Sequence, residues 1–184
     1  MALPLFNLKN QKGLIEDVYI HPLKVNRDGS GILVETLKTN WPAEIYDPDK
    51  RPFAQQYYSV TAPGIARDES EWHVHKNQED RFLCPKGNII VAIFDNRTGS
   101  STASSLNLFE MGEGQGDDGQ YIVLIPKNTL HGFMVVGDED ALLLNFPTQL
   151  YNSEDEGRIP HAEANAKVDG EIFSWEIVRL NYHL

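Results

Sequence analysis

The sequence predicts an all-β protein, built as an antiparallel sandwich or barrel, and two observations support this fold class. Short runs of β-branched and aliphatic residues recur at intervals of about ten residues, each bounded by turn-forming residues. The clearest runs are GNIIVAIFD (87–95), QYIVLIP (120–126), GFMVVG (132–137) and ALLLNF (141–146). Segments with the ~3.6-residue period of an amphipathic helix are scarce. The best candidate, PHAEANAKV (160–168), is short, so we expect little helix.

Composition and charge limit what the chain does. A length of 184 residues suits one domain with a core, so we expect residues 1–184 to form a single domain. The formal net charge of −11 opposes binding to nucleic acid and anionic lipid and excludes both as general partners. The single cysteine, Cys84, predicts a reducing, cytoplasmic location. We expect no signal peptide, and no apolar run approaches the ~20 residues that span a bilayer.

The segment SEWHVHKNQEDRFLC (70–84) reads as a strand, a polar break and a returning strand. Successive side chains of a strand point to opposite faces, so His73 and His75 share one face. In the returning strand, Glu79 is then expected to lie beside the two imidazoles. This segment is the first part of a candidate site.

Two further segments connect and complete the predicted strands. MGEGQGDDGQ (111–120) has neither the helix start nor the positive charge of a phosphate-binding loop, and we interpret it as an exposed hairpin connection. In IPKNTLHGF (125–133), Pro126 restricts a turn and His131 opens the next strand. His131 is therefore a candidate third imidazole of the site.

The three histidines and Glu79 form a nitrogen and oxygen ligand set. Such a set suits Fe(II), Mn, Ni or Zn with positions left open for water or substrate. The alternative is that His73, His75 and His131 are hydrogen-bonded side chains lining the protein interior, with no metal. Spacing alone leaves both interpretations open.

The motifs H-x-H-x₃-E and P-x-x-x-x-H resemble the two signatures of the cupin superfamily. The matching residues are His73, His75, Glu79, Gly87, Pro126 and His131. The resemblance implies a double-stranded β-helix, or jelly-roll, barrel with an extended N-terminal strand region and a short C-terminal helix or strand. Asn128 stands where cupins usually have glycine, but asparagine also tolerates a positive φ, so we expect the turn to survive.

A longer resemblance lies within the cupins. Five segments resemble, in order, motifs of the dTDP-4-dehydrorhamnose 3,5-epimerases, and they cover roughly residues 20 to 160. They are NRDGSGILVETL (26–37), FAQQYYSVTAPGIARD (53–68, similar to F-x-Q-x-N-x-S-x-S-x-x-G-V-x-R-G), KGNIIVAIFDNRTGSST (86–102), IPKNTLHGFMVV (125–136) and LYNSEDEGRIP (150–160). The resemblance implies an isomerase that takes protons from the carbons beside the ketone of a dTDP-4-keto-6-deoxysugar and returns them on the other face.

The same resemblance assigns residues. The catalytic positions are His73 as the base, His75 as its rival, and His131. The substrate-binding positions are Arg67, Gln55, Glu35, Asn145 and Tyr151. No cofactor is required in this interpretation. Three positions depart from the family: its lysine falls near Asp80, its acid tyrosine falls near Asn145, and Asp169 is the nearest counterpart of the aspartate that orients the base.

Three hypotheses follow. The chain is a sugar-nucleotide epimerase or isomerase, a metal-dependent cupin such as an isomerase or dioxygenase, or a cupin that binds a sugar nucleotide without catalysis. We also expect a homodimer, because N-terminal strands in this family commonly add to the sheet of the partner and exposed strand edges need cover. Every hypothesis of catalysis requires the imidazoles of His73, His75 and His131 to converge on one cavity.

Overall fold

The structure is a computed structural model that describes residues 3–184, and its regular elements are mainly short β-strands. The strands are β1 (Leu5–Phe6), β2 (Tyr19–Pro22), β3 (Val25–Asp28), β4 (Gly31–Val34), β5 (Tyr57–Thr61), β6 (Ala66–Arg67), β7 (Glu71–His75), β8 (Asp80–Lys86), β9 (Asn88–Phe94), β10 (Leu106–Gly112), β11 (Tyr121–Ile125), β12 (Leu130–Val136), β13 (Ala141–Asn145), β14 (Glu156–Pro160), β15 (Lys167–Val168) and β16 (Glu171–Ile172). The helices are α1 (His161–Ala164), α2 (Trp175–Tyr182) and a 3₁₀ helix (Glu113–Gly119).

Two mainly antiparallel sheets form the body of the described chain. The larger sheet has the strand order β1-β10-β9-β12-β7-β14, with β6 paired to β12. The smaller sheet has the order β2-β11-β8-β13-β5. Two ribbons, β3–β4 and β15–β16, extend from them. This arrangement is the jelly-roll architecture that the cupin resemblance implied.

The alternation of side chains along each strand divides the apolar residues into layers. In β12, Phe133 and Val135 point into the core between the sheets, whereas Met134 and Val136 pack on the outer side of the larger sheet. The outer layer is closed by α2, through Trp175 and others. Burial on both faces explains why these strands read as continuous apolar runs.

One motif of the sequence turns out to build a loop. In DNRTGSST (95–102), the buried carboxylate of Asp95 accepts hydrogen bonds from Arg97 Nε at 2.8 Å, Ser100 Oγ at 2.5 Å and Thr102 Oγ1 at 2.7 Å. Burial opposes ionisation of Asp95, but these donors lower its pKa below the ordinary value. The motif therefore stabilises the connection between β9 and β10.

Several local expectations are tested by these elements. The helix expected over 160–168 is limited to α1, while the C-terminal segment forms the longer α2. No described helix is long and apolar enough to cross a bilayer, since even α2 has only eight residues. The hairpin expected at 111–120 is wrong, because β10 and β11 belong to different sheets and the 3₁₀ helix connects them. Asn128 has φ 62°, as the turn requires.

Candidate active site

Three imidazoles converge between the two sheets. His73 and His75 point inward from β7, and His131 of β12 is the direct antiparallel partner of His73. Ring centroids are 4.6 Å apart for His73 and His75, 5.4 Å for His73 and His131, and 5.8 Å for His75 and His131. The three rings therefore lie together, but only His73 and His131 line the cavity beside them, so the predicted convergence on one cavity is met by two of the three.

The structure does not bring Glu79 to these imidazoles. β7 and β8 lie in different sheets, so the chain crosses between sheets after His75 instead of turning back beside it. Glu79 forms an ion pair with Arg51, with Nε and Oε2 2.9 Å apart. Its neighbour Asp80 points inward instead, and its Oδ2 lies 3.3 Å from His131 Nε2 and 3.5 Å from His75 Nε2. The ligand set of three histidines and Glu79 is not assembled.

Asp80 is a buried carboxylate enclosed by donors. Its Oδ1 accepts hydrogen bonds from Gln78 Nε2 at 2.8 Å and from Asn145 Nδ2 at 2.7 Å. Burial opposes its ionisation, but the hydrogen bond from His131, the charges of His131 and His75 and the bond from Asn145 lower the pKa of Asp80 to about 2. Asp80 is thus negatively charged at neutral pH, and hydrogen-bond donors surround both of its oxygens.

His73 is held as a neutral imidazole. Burial, followed by the positive charges of His131 and His75, lowers the pKa of His73 to about 4. Its Nε2 lies 3.2 Å from Oε1 of Glu156, on the adjacent strand β14. Although Nε2 makes no hydrogen bond with the described residues, a neutral ring within reach of a carboxylate has the composition of a general base and an acid that could stabilise its protonated form. Asp169, the counterpart expected from sequence, instead lines a separate cavity with Val168.

His75 is more enclosed than His73. Its Nε2 lies 3.1 Å from Gln78 Nε2, and its Nδ1 lies 3.6 Å from Asp155 Oδ2. Burial lowers its pKa, and the charge of Asp80 opposes the shift. Asp155 also accepts hydrogen bonds from the backbone of Asn77 and Gln78, so it fixes the crossover between the sheets. His75 does not line the cavity beside His73 and His131.

A cavity of about 270 Å³ opens beside His73 and His131. Its lining residues are Tyr57, Ser59, Arg67, Asp68, His73, Phe82, His131, Gly132, Phe133, Leu143 and Arg158. The histidines enter from the larger sheet, and Tyr57 enters from β5 of the smaller sheet. Asp80 and His75 lie behind this lining. The cavity therefore offers imidazole, phenol and guanidinium groups to a ligand.

Arg67 is the cation of this cavity that lacks an acidic partner. Its Nε donates to Thr61 Oγ1 at 3.1 Å, and it makes no ion pair within residues 3–184. The acids that follow it in sequence are engaged elsewhere: Asp68 pairs with Arg158 and Glu69 pairs with Arg179. The charge of Arg67 is available to an anionic ligand.

Four other residues expected to bind substrate have different surroundings. Glu35 is exposed and pairs with Lys38 at 3.0 Å. Tyr151 is 69% exposed and lines a separate cavity with Gln149, and Gln55 donates a hydrogen bond to the carbonyl of Gln149. Asn145 is fully buried, and it contacts Asp80 and the hydroxyl of Tyr57.

Sequence reasoning missed two residues of the site, Tyr57 and Glu156. Tyr57 alternates with Ser59 along β5, so the period of the strand signals that both share a face, but it does not show which cavity that face meets. Glu156 reaches His73 only because β14 pairs with β7, and no local pattern reports that pairing.

Comparison with known proteins gives consistent matches. The sequence profile of dTDP-4-dehydrorhamnose 3,5-epimerases matches residues 12–178. A probable low-salt glycan biosynthesis epimerase of Haloferax volcanii is 43% identical over 150 residues, which cover 80% of this chain and 88% of that protein. Among solved structures, the dTDP sugar isomerase of Desulfovibrio desulfuricans has a TM-score of 0.71 at 23% identity, covering 88% of this chain and 92% of the other. The dTDP-6-deoxy-D-glucose-3,5-epimerase of Legionella pneumophila, in complex with dTDP-4-keto-L-rhamnose, has a TM-score of 0.70 at 20% identity, covering 94% and 85%.

Proposed function

Since this chain belongs to the dTDP-4-dehydrorhamnose 3,5-epimerase family, we propose that it inverts carbon centres beside the ketone of a dTDP-linked 4-keto-6-deoxyhexose. The observation that carries the proposal is the neutral imidazole of His73 on the wall of the cavity, 3.2 Å from Glu156. A base of this kind is what removal of a proton beside a ketone requires.

His73 acts as the base in this proposal. A carbon beside the ketone loses its proton to the imidazole, and the electrons of the C–H bond move onto the ketone oxygen to give an enolate. The carboxylate of Glu156 stabilises the imidazolium that forms. His75, which is enclosed by Gln78 and Asp155, orients the site and does not compete as the base.

Asp80 stands near the position where the family has a lysine, but its negative charge does not face the enolate directly. Asp80 lies behind the cavity lining, and its charge is shared by Gln78, Asn145 and the two histidines His75 and His131. His131 lies between Asp80 and the cavity, and its Nδ1 is 3.4 Å from the carbonyl of Thr129. The ring of His131 therefore separates the carboxylate of Asp80 from the cavity.

The diphosphate of the substrate binds at Arg67 in this proposal. A guanidinium matches the geometry of phosphate oxygens, and Arg67 lines the cavity without an acidic partner among the described residues. Arg158 lines the same cavity but is paired with Asp68, so its contribution is smaller. Tyr151 lines a separate cavity, and Gln55 is bonded to Gln149 of that cavity, so neither has a part in the binding of the diphosphate at Arg67.

The metal-dependent alternative has one observation in its favour. One nitrogen from each of His73, His75 and His131 lies within 4.8 Å of the others, so the cluster is a candidate for Fe, Mn, Ni or Zn. However, Nε2 of His75 and of His131 already face Asp80. Epimerases of this type work without a metal cofactor. We therefore propose proton transfer by side chains as the reaction mechanism.

The test is solvent exchange. The purified protein is incubated with dTDP-4-keto-6-deoxyglucose in D₂O, and NMR follows deuterium entering the carbons beside the ketone. We expect exchange by the native chain and its loss in His73→Asn, with His183→Asn as the matched control outside the site. Binding without exchange would favour the non-catalytic hypothesis, and exchange that is lost on chelation and restored by a divalent metal would favour the metal-dependent one.

A homodimer remains part of the proposal. β5 is an edge strand of the smaller sheet, with Tyr58 64% exposed, and Leu33 of the β3–β4 ribbon is 63% exposed. Apolar side chains at an open edge favour pairing with a second copy. We also propose a cytoplasmic location, because the single cysteine, Cys84, is a free buried thiol and the chain has no internal disulfide.

A further inference from the structure

We propose that Tyr57 is the general acid of this site and that it returns the proton to the sugar from the wall opposite His73. The inference rests on the proposed epimerase function and adds the group that completes the inversion. In this step the enolate collapses to the ketone while its carbon takes the hydrogen of the Tyr57 hydroxyl. The resulting phenolate regains a proton from water, and the imidazolium of His73 gives one to water, so the reaction is a net isomerisation.

The Tyr57 hydroxyl accepts a hydrogen bond from Asn145, so its own hydrogen is not used in that contact. Asn145 Nδ2 lies 2.8 Å from the hydroxyl oxygen. The amide orientation of Asn145 is fixed, because its Oδ1 accepts from the backbone N–H of Arg81 at 3.0 Å and its Nδ2 donates to the carboxylate of Asp80 at 2.7 Å. Asn145 is therefore the donor to Tyr57. No acceptor for the tyrosine hydrogen is found among residues 3–184, so the hydrogen is free for a ligand.

The position of Tyr57 meets the stereochemical requirement of inversion. Inversion needs a proton to leave one face of the sugar ring and another to arrive on the opposite face. His73 lines the cavity from β7 of the larger sheet, and Tyr57 lines it from β5 of the smaller sheet. A ring bound between the sheets thus has the base on one side and the phenol on the other.

The phenol is kept in the protonated form. Burial of the hydroxyl and the negative charge of Asp80 raise the pKa of Tyr57 to about 12, while the hydrogen bond from Asn145 acts in the opposite direction. The residue as a whole is 45% exposed, but its hydroxyl is turned inward to Asn145. At neutral pH the group carries the hydrogen that an acid must give.

The family has its acid tyrosine near position 145, where this chain has asparagine, and the pairing of β5 with β13 explains how a phenol is nevertheless kept at the site. The family resemblance aligns an asparagine with Tyr57 and the acid tyrosine with Asn145. These two positions are direct partners across the antiparallel pair. Side chains of such partners lie ~5 Å apart at Cβ, so exchanging tyrosine and asparagine between them keeps a phenol at the same wall of the cavity.

The experiment compares Tyr57→Phe with Tyr58→Phe, a matched change at the next residue, whose ring is 64% exposed. Both variants are incubated with dTDP-4-keto-6-deoxyglucose in D₂O, and NMR measures deuterium exchange and inverted product separately. We expect Tyr57→Phe to invert at least ~100-fold more slowly while exchange with retained configuration continues, and Tyr58→Phe to match the native chain. A purely structural role of Tyr57 would not change this ratio of exchange to inversion.

A fluorotyrosine at position 57 provides a second measurement. Its phenol is more acidic, so the alkaline limb of the inversion rate should move to lower pH. Inversion by Tyr57→Phe within ~3-fold of the native rate, or an equal loss of exchange and inversion, would overturn the assignment. If the native chain itself neither exchanges nor inverts, the proposed function fails, and that result is distinct from failure of Tyr57 alone.

Discussion

The neutral state of His73 makes the acid side of the pH profile the most direct test of the proposed base. The pKa of His73 is lowered from 6.5 to about 4 by burial and by the positive charges of His131 and His75. At pH 5 a base with a pKa of about 4 is roughly 90% unprotonated, whereas an ordinary histidine is only about 3% unprotonated. We therefore expect kcat/KM for deuterium exchange at pH 5 to stay near its plateau, about 30-fold above the value for an unperturbed histidine.

The same pKa difference links pH to stability. Because the folded-state pKa lies below the unfolded value, the contribution of His73 to the free energy of unfolding is complete above pH 6.5. It is lost as the pH falls from 6.5 towards about 4. At ~1.4 kcal/mol per pKa unit the contribution over the whole range is roughly 3.5 kcal/mol, and the partial exposure of the side chain reduces it to roughly 2 kcal/mol.

Two assays test this reasoning together. Exchange rates are measured from pH 4.5 to 9 with the native chain and with His183→Asn as the control. Urea unfolding at pH 7 and pH 5 compares the native chain with His73→Asn, which should lose less stability between the two pH values by roughly 1 kcal/mol, because only part of the proton uptake occurs between them. An exchange rate that falls to half near pH 6.5 in a folded protein would show that the environment of His73 does not hold the ring neutral.

Three further predictions concern binding, stability and assembly. Arg67→Ala should raise KM for the nucleotide sugar ~10-fold or more with a smaller change in kcat, and Arg67→Lys should restore part of the loss, as steady-state kinetics will measure. Arg81→Leu should lower the free energy of unfolding by ~3 kcal/mol or more in urea titration, because the buried guanidinium donates to the carbonyls of Ile45 at 2.6 Å and Phe146 at 2.8 Å. Leu33→Glu should weaken the proposed homodimer in light scattering, and an equal monomer mass for both chains would contradict the dimer.

Local patterns in the sequence were sufficient for the strands and for part of the site. Apolar runs bounded by turn residues predicted an all-β fold, since each strand is short and its turn chemistry is encoded beside it. The spacing of His73 and His75 placed both rings on one face because the period of a strand is fixed at two residues. The positive φ of Asn128 was expected because the cupin resemblance places a turn glycine there and asparagine tolerates the same conformation.

The same local reasoning did not identify the acid beside the histidines. It treated residues 70–84 as one hairpin and expected Glu79 next to the rings. The chain instead crosses from one sheet to the other after His75, which directs Asp80 to the interior and Glu79 to Arg51. Adjacent residues of a strand point to opposite faces, so an error of one residue in the connection exchanges Asp80 for Glu79 as the acid beside the histidines.

The sequence by itself therefore determined the fold class, the central strands and which side chains of a strand share a face, because these depend on neighbours within a few positions. Only the tertiary structure decided that Glu156 meets His73 and that Tyr57 lies opposite Asn145. Those contacts come from pairing between strands far apart in the chain, and strand periodicity carries no information about the identity of the partner strand.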